Sequence, residues 1–127
     1  MKKLDSIEIF LVELQEMAYQ NSKIRGSLLN PDKSKLSDEQ IEALKECNFT
    51  VGSLSAIESL CREAIENAFF DMAGLLDGIG DPKVARTEKT WVGLRLKEPT
   101  DDDEAQYLNE QFYEGYDNWL ELKKENR

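Results

Sequence analysis

The stretch Leu54–Ile79, LSAIESLCREAIENAFFDMAGLLDGI, decides the fold. Apolar residues recur at Leu54, Ile57, Cys61, Ala64, Ile65, Ala68, Met72, Leu75, Leu76 and Ile79. This three-and-four spacing places them on one face of a helix. Ser53 or Ser55 can cap its start, and Ser55 with Glu58 has the spacing of a capping box, in which each side chain satisfies an orphan amide of the first turn. Asp77-Gly78-Ile79-Gly80-Asp81-Pro82 ends the helix, because glycine accepts a left-handed cap and proline cannot continue the ladder. Leu60, Phe69 and Ala73 widen the apolar stripe, so more than one element is expected to pack against it.

Upstream, Leu4, Ile7, Leu11, Leu14 and Ala18 share a narrow arc flanked by Phe10 and Met17, which predicts a first helix from about Lys3 to about Gln20. Ile9 and Val12 lie on its far side, where they either pack against a neighbouring helix or pair two subunits; packing is the simpler expectation. Asn21 to Leu36 reads as a loop, punctuated by Gly26 and by Asn30-Pro31-Asp32. Ser37 and Gln40 form a capping box for a short second helix, with Asp38 and Glu39 at the positive end of its dipole and Ile41 and Leu44 facing inward.

Downstream the period changes to two. Thr90, Val92, Leu94 and Leu96 alternate with Trp91, Gly93, Arg95 and Lys97, which predicts a strand, paired in a hairpin with a partner around Lys83 to Thr87. Pro99 and Thr100 stop it. The acids Asp101, Asp102, Asp103 and Glu104 then favour the start of a last helix that reaches Lys123 or Lys124. The expected fold is mainly α (α+β): a bundle of about four helices with a small β-hairpin inserted before the last helix, forming one helical domain over 1–127.

Composition narrows the function. The net charge is −10, from 26 acidic and 16 basic residues in 127. Such a chain repels phosphate backbones and anionic lipid, so neither nucleic acid nor membrane is an expected partner. Met1-Lys2-Lys3 opens like a signal peptide, but Asp5 and Glu8 interrupt the apolar core that one requires. No run approaches the roughly 20 apolar residues of a membrane span, and a cytoplasmic protein is expected. With no histidine in the chain, histidine triads, Cys-His nucleophiles and His-containing zinc sites are all excluded. Cys47 and Cys61 sit among apolar helical neighbours and read as buried free thiols.

The charge is distributed unevenly. Nine acids and no base lie between Glu98 and Glu121, and the rest of the chain nearly balances. On a helix, Glu110, Glu114, Asp117 and Glu121 are spaced four, three and four apart and form one ridge. Leu108, Phe112, Tyr116, Trp119 and Leu122 take the opposite side, expected to be buried, while Tyr113 lies beside the ridge. A solvated face that keeps the protein in solution is one reading of the ridge. The other is a docking surface, in which the acids steer a basic partner and Tyr113 supplies contact area. From Pro82 to Glu98 the balance is basic, with Lys83, Arg86, Lys89, Arg95 and Lys97 around Trp91; a clamp onto the molecule's own acidic helix is the preferred reading, and an anion site the alternative.

Paired carboxylates occur as E-x-x-E at Glu13/Glu16, Glu39/Glu42 and Glu63/Glu66, and as E-x-x-D at Glu114/Asp117. These pairs are similar to those with which all-α nucleotide pyrophosphohydrolases of the MazG type hold Mg²⁺, a hard cation suited to carboxylates. Seven acid pairs at this spacing are present in the chain, where roughly five arise by chance at this acid content, and the order along the chain does not follow the MazG pattern cleanly. Gly78-Ile79-Gly80 follows a helix instead of a strand, which is the wrong context for a phosphate-cradling loop. Asp101–Glu104 lacks the alternating spacing and central glycine of a calcium loop. A long helix ending in Leu76-Asp77-Gly78, followed by an extended run and a closing helix, broadly resembles several small uncharacterised bacterial proteins, and this assigns no residue a role.

The expected function is therefore a non-catalytic acidic interaction protein with no cofactor and no catalytic or metal residues. It would be an inhibitor or immunity-type protein that binds a basic partner, such as a nuclease toxin, through Glu110, Tyr113, Glu114, Asp117 and Glu121. The alternatives are a Mg²⁺-dependent all-α nucleotide pyrophosphohydrolase using Glu63 and Glu66, and a structural subunit, monomeric or paired through Ile9 and Val12.

Overall fold

A computed structural model describes residues 3–85, 89–97, 99–100 and 108–125. Its helices are α1 (Ser6–Asn21), α2 (Arg25–Leu29), α3 (Asp38–Lys45), α4 (Val51–Leu76) and α5 (Leu108–Glu125), with a 3-10 turn at Pro31–Lys33. The chain forms two compact units, Met1–Phe70 and Asp71–Arg127.

In the first unit, α1 begins later than its apolar spacing suggests because Asp5 caps it. The Asp5 carboxylate accepts from the Glu8 amide at 2.8 Å, and Glu8 completes the box. Ala18 is fully buried, and Leu4 and Leu14 are half-buried, but Ile7 and Leu11 of the same arc are exposed. Ile9 and Val12 are exposed too, so the packing expected of them is not seen. The segment read as a loop contains α2 and the 3-10 turn. Pro31 supplies the fixed φ of that turn and is buried in it, and Lys45 at the end of α3 pairs with Asp32 at 3.0 Å. The box at the start of α3 forms as read: Ser37 accepts from the Gln40 amide at 3.2 Å, and the Gln40 side chain accepts from the Ser37 amide at 3.0 Å.

The cap of α4 differs from its sequence reading. Thr50 and Ser53 exchange the reciprocal bonds, at 3.0 Å from the Ser53 amide and 2.7 Å from the Thr50 amide, so the helix starts ahead of Leu54. Ser55 and Glu58 do not form the box. Glu58 instead accepts from Arg25 Nε at 3.0 Å, Arg25 Nη2 at 2.6 Å and the Arg25 backbone amide at 3.1 Å. Three donors on one carboxylate join the start of α2 to α4 across 33 residues of sequence. Beside this pair, Lys23 Nζ lies 4.1 Å and the Arg62 guanidinium 5.7 Å from the centre of the Tyr19 ring, a cation–π contact that ties the end of α1 to the same stretch of α4. Of the cysteines, Cys61 is half-buried and Cys47 is exposed, which corrects the expectation that both are buried.

The hydrogen bond from Arg25 holds the Glu58 carboxyl below its usual value of 4.5, against the opposing effect of partial burial. A carboxyl lowered on folding adds stability above its ordinary titration range, and that stability is lost as pH falls through the lowered value. Glu58→Gln is therefore expected to lower the melting temperature at neutral pH, and the gap from wild type should narrow at about pH 3. Thermal melts at the two pH values check this; a gap equal at both would mean that the ion pair does not contribute.

In the second unit, α4 ends as read. Gly78 takes a φ of 75°, and the amides of Ile79 and Gly80 both donate to the Gly74 carbonyl, at 3.0 and 3.1 Å. The β-hairpin does not form: no strand occurs among the described residues, which leaves a mainly α fold. The reason is local. The last turn of a helix carries carbonyls without intrahelical partners, and residues 91 and 94 of the irregular segment after Pro82 donate to two of them. The Leu94 amide donates to Leu76 O at 2.8 Å and Trp91 Nε1 to Leu75 O at 2.9 Å. Gly93, at φ 88°, also breaks the alternation a ladder needs. Of the partner strand expected at Lys83 to Thr87, residues 86–87 lie outside the described ones. So does Asp101–Glu104, the start expected for the last helix.

Candidate functional site on the last helix

Helix α5 carries every residue of the acidic ridge. Successive helical residues turn by about 100°. Glu110, Glu114, Asp117, Glu121 and Glu125 thus fall within an arc of about 80°, and Leu108, Phe112, Tyr116, Trp119 and Leu122 fall on the opposite side. Lys123 and Lys124 close the last turn, where positive charge suits the helix dipole. Glu114, Asp117 and Glu121 are exposed; for Glu110 only the backbone is described.

The apolar side of α5 does not match its sequence reading. Phe112 is 71% exposed and Trp119 44%; Leu108 and Tyr116 are exposed as well, and only Leu122 is half-buried, while Tyr113 beside the ridge is exposed as its position suggests. Burial of this side needs another element laid along it, and the described residues provide none. The aromatic rings instead pair along the helix. Phe112 and Tyr113 meet edge-to-face with centroids 5.7 Å apart, and Tyr116 stacks on Trp119 at 5.9 Å. Such pairs hold the rings in preferred arrangements without a partner.

The arrangement places an exposed anionic strip and an exposed aromatic one on opposite sides of a single helix. Tyrosine and tryptophan are the residues most enriched where proteins meet, since each offers a large apolar body with a polar tip. The exposure of Phe112, Tyr116 and Trp119 is the part of the site that the sequence reading missed. Its only signal was that the apolar arc of α5 is mostly aromatic instead of Leu- and Ile-rich.

The basic segment does not clamp α5 through the residues described in full: Lys83 and Arg95 make no ion pair with Glu114, Asp117 or Glu121. The carboxylate pairs are engaged locally. Glu66 bonds Arg62 at 2.9 Å, Glu16 accepts from Gln20 at 2.8 Å, and Glu42 lies 3.7 Å from Lys45. Among the described residues, no three Asp, Glu or Cys side chains gather closely enough to hold a metal ion. None of their helices is long and apolar enough to cross a membrane. No known protein family, curated protein or solved structure matches this chain.

Proposed function

We propose that this chain is a non-catalytic interaction protein that docks a basic partner through α5. The supporting observation is that both sides of α5 are exposed at once. An amphipathic helix of this kind binds by laying its apolar side into a groove, here Phe112, Tyr116 and Trp119. The ridge of Glu114, Asp117 and Glu121, on the opposite side of the helix, stays in solvent and speeds the encounter with a basic partner through long-range attraction. The most concrete form is an inhibitor or immunity-type protein whose helix covers and neutralises a basic protein such as a nuclease.

The test is affinity capture from lysate of the source cells, comparing wild type with Glu114→Lys/Asp117→Lys/Glu121→Lys at low and high salt. A basic protein held by wild type should be lost from the variant, and its retention should weaken as the Debye length shortens from about 30 Å at 0.01 M salt to about 10 Å at 0.1 M. Equal capture by both proteins would remove the ridge from the docking surface.

A further inference from the structure

Helix α5 carries a glycine in its interior, where alanine would stabilise it better. Nothing lies within 4 Å of a Cβ added at Gly115, so no neighbour in this chain requires the small residue. The position falls on the apolar side. Leu108, Phe112, Gly115, Trp119 and Leu122 are spaced four, three, four and three apart, which is the seam along which one helix packs on another. Such seams close by inserting side chains of one helix into holes of the next. The missing side chain at Gly115 leaves a hole; Trp119, 44% exposed and stacked on Tyr116 with centroids 5.9 Å apart, offers a large side chain to fill one.

The seam is complementary to itself. In an antiparallel pair centred on residue 117, Trp119 of each copy lies over Gly115 of the other, and Phe112 faces Leu122 in the layers outside them. Both of these pairs share one midpoint, as a two-fold axis requires of a surface that meets its own copy. A parallel pair would instead set Trp119 on Trp119 and hole on hole. The acids Glu114, Asp117 and Glu121 lie on the far side of the helix, so the two ridges stay apart. We propose that α5 pairs antiparallel with α5 of a second copy, the Trp119 of each seated over the Gly115 of the other. Leu108, Phe112, Tyr116 and Trp119 of two copies together bury on the order of 1,000 Å², the size of a weak, exchanging interface. The pair therefore comes apart at the dilution of a thermal melt and forms as the protein is concentrated. It covers the side of α5 offered to a basic partner, so the two associations exclude one another. The pairing stands on the seam alone and does not depend on that partner.

Sedimentation equilibrium of the full-length protein from about 10 µM to about 1 mM tests the pairing. Dimer should grow with concentration and also with salt, because α5 carries five acids against two bases and salt screens the repulsion between two such helices. Capture of a basic partner has the opposite salt dependence, so either association can fail while the other stands. Gly115→Leu fills the hole and Trp119→Ala removes the side chain that enters it; each should weaken self-association about tenfold or more, although Gly115→Leu raises helicity. Mixed together, the two variants should pair with one another. Trp119 of the first then meets Gly115 of the second, and the introduced leucine meets the introduced alanine. A monomer through the whole concentration range would overturn the proposal. Self-association undiminished in both variants, or variants that stay apart when mixed, would overturn it equally.

Discussion

Gly93→Ala detaches the segment Trp91–Lys97 from the end of α4 and is expected to have the largest effect of any single substitution on the second unit. Gly93 sits at φ 88°, a conformation that costs a residue bearing a Cβ about 1–2 kcal/mol. The new Cβ would also fall inside the contact distance of Leu76 O and lie 2.7 Å from the Gly78 amide nitrogen. Both neighbours are backbone at a helix end, so neither can yield without opening the cap. Relief requires the segment to leave, which forfeits the bonds from Leu94 and Trp91, each contributing about 1 kcal/mol. Detachment therefore forfeits roughly 2 kcal/mol of docking. Trp91 reports it. In a Trp119→Phe background, the emission of the Gly93→Ala protein should shift to the red and the Leu94 amide should exchange freely. Gly115→Ala is the contrast: nothing lies within 4 Å of the added Cβ, and alanine in a helix interior is favoured over glycine by about 1 kcal/mol, so α5 should gain helicity. Unaltered Trp91 emission in Gly93→Ala would show that the segment is not held by this contact.

The triple substitution Phe112→Ser/Tyr116→Ser/Trp119→Ser separates binding from folding. Were these rings in a core, their removal would leave cavities at a cost of several kcal/mol each and the protein would melt early. Their exposure predicts the reverse: the melting temperature and the helical circular dichroism should stay near wild type. Aromatic anchors at the centre of an interface carry about 2 kcal/mol or more apiece, so partner affinity should fall by about two orders of magnitude or more. That exceeds the expected loss from reversing the ridge, because exposed charges opposite the contact side would act mainly on the encounter rate. A variant that unfolds, or one that binds undiminished, would return these rings to a structural role.

The sequence disclosed the helices well where local chemistry sets them. The Ser37/Gln40 box and the Gly78 stop of α4 depend on neighbours within a few residues, and both stand where the residue pattern places them. The Thr50/Ser53 box was equally local, but Ser55 and Glu58 offered the same spacing a turn later. The cap stands at Thr50, and Glu58 accepts instead from Arg25, a partner 33 residues away that no window along the chain brings into view. The expected hairpin failed on a similar competition. Alternation in Thr90–Lys97 reports an extended backbone and is silent about its partner, and here the partner is the carbonyl end of a helix. On α5 the periodicity gave the two sides correctly and the burial wrongly, because period alone does not tell whether an apolar side is covered by another element of the fold. Glu114, Asp117 and Glu121 stand exposed on the helix expected of them; Phe112, Tyr116 and Trp119 extend that surface beyond what charge could suggest.

The meeting of Gly78 and Gly93 bears on how this chain can vary. Each glycine has positive φ, and the backbone around each occupies the space where the other's side chain would stand: a Cβ on Gly78 would meet the Val92 carbonyl, and one on Gly93 the Gly78 amide. Loss of one therefore cannot be offset by a change at the other, unlike the large-for-small exchanges that let cores drift. Homologues that keep this helix end should hold the two positions invariant, as independent constraints, while Val92, Leu94 and Leu96 between and beside them are free to change identity.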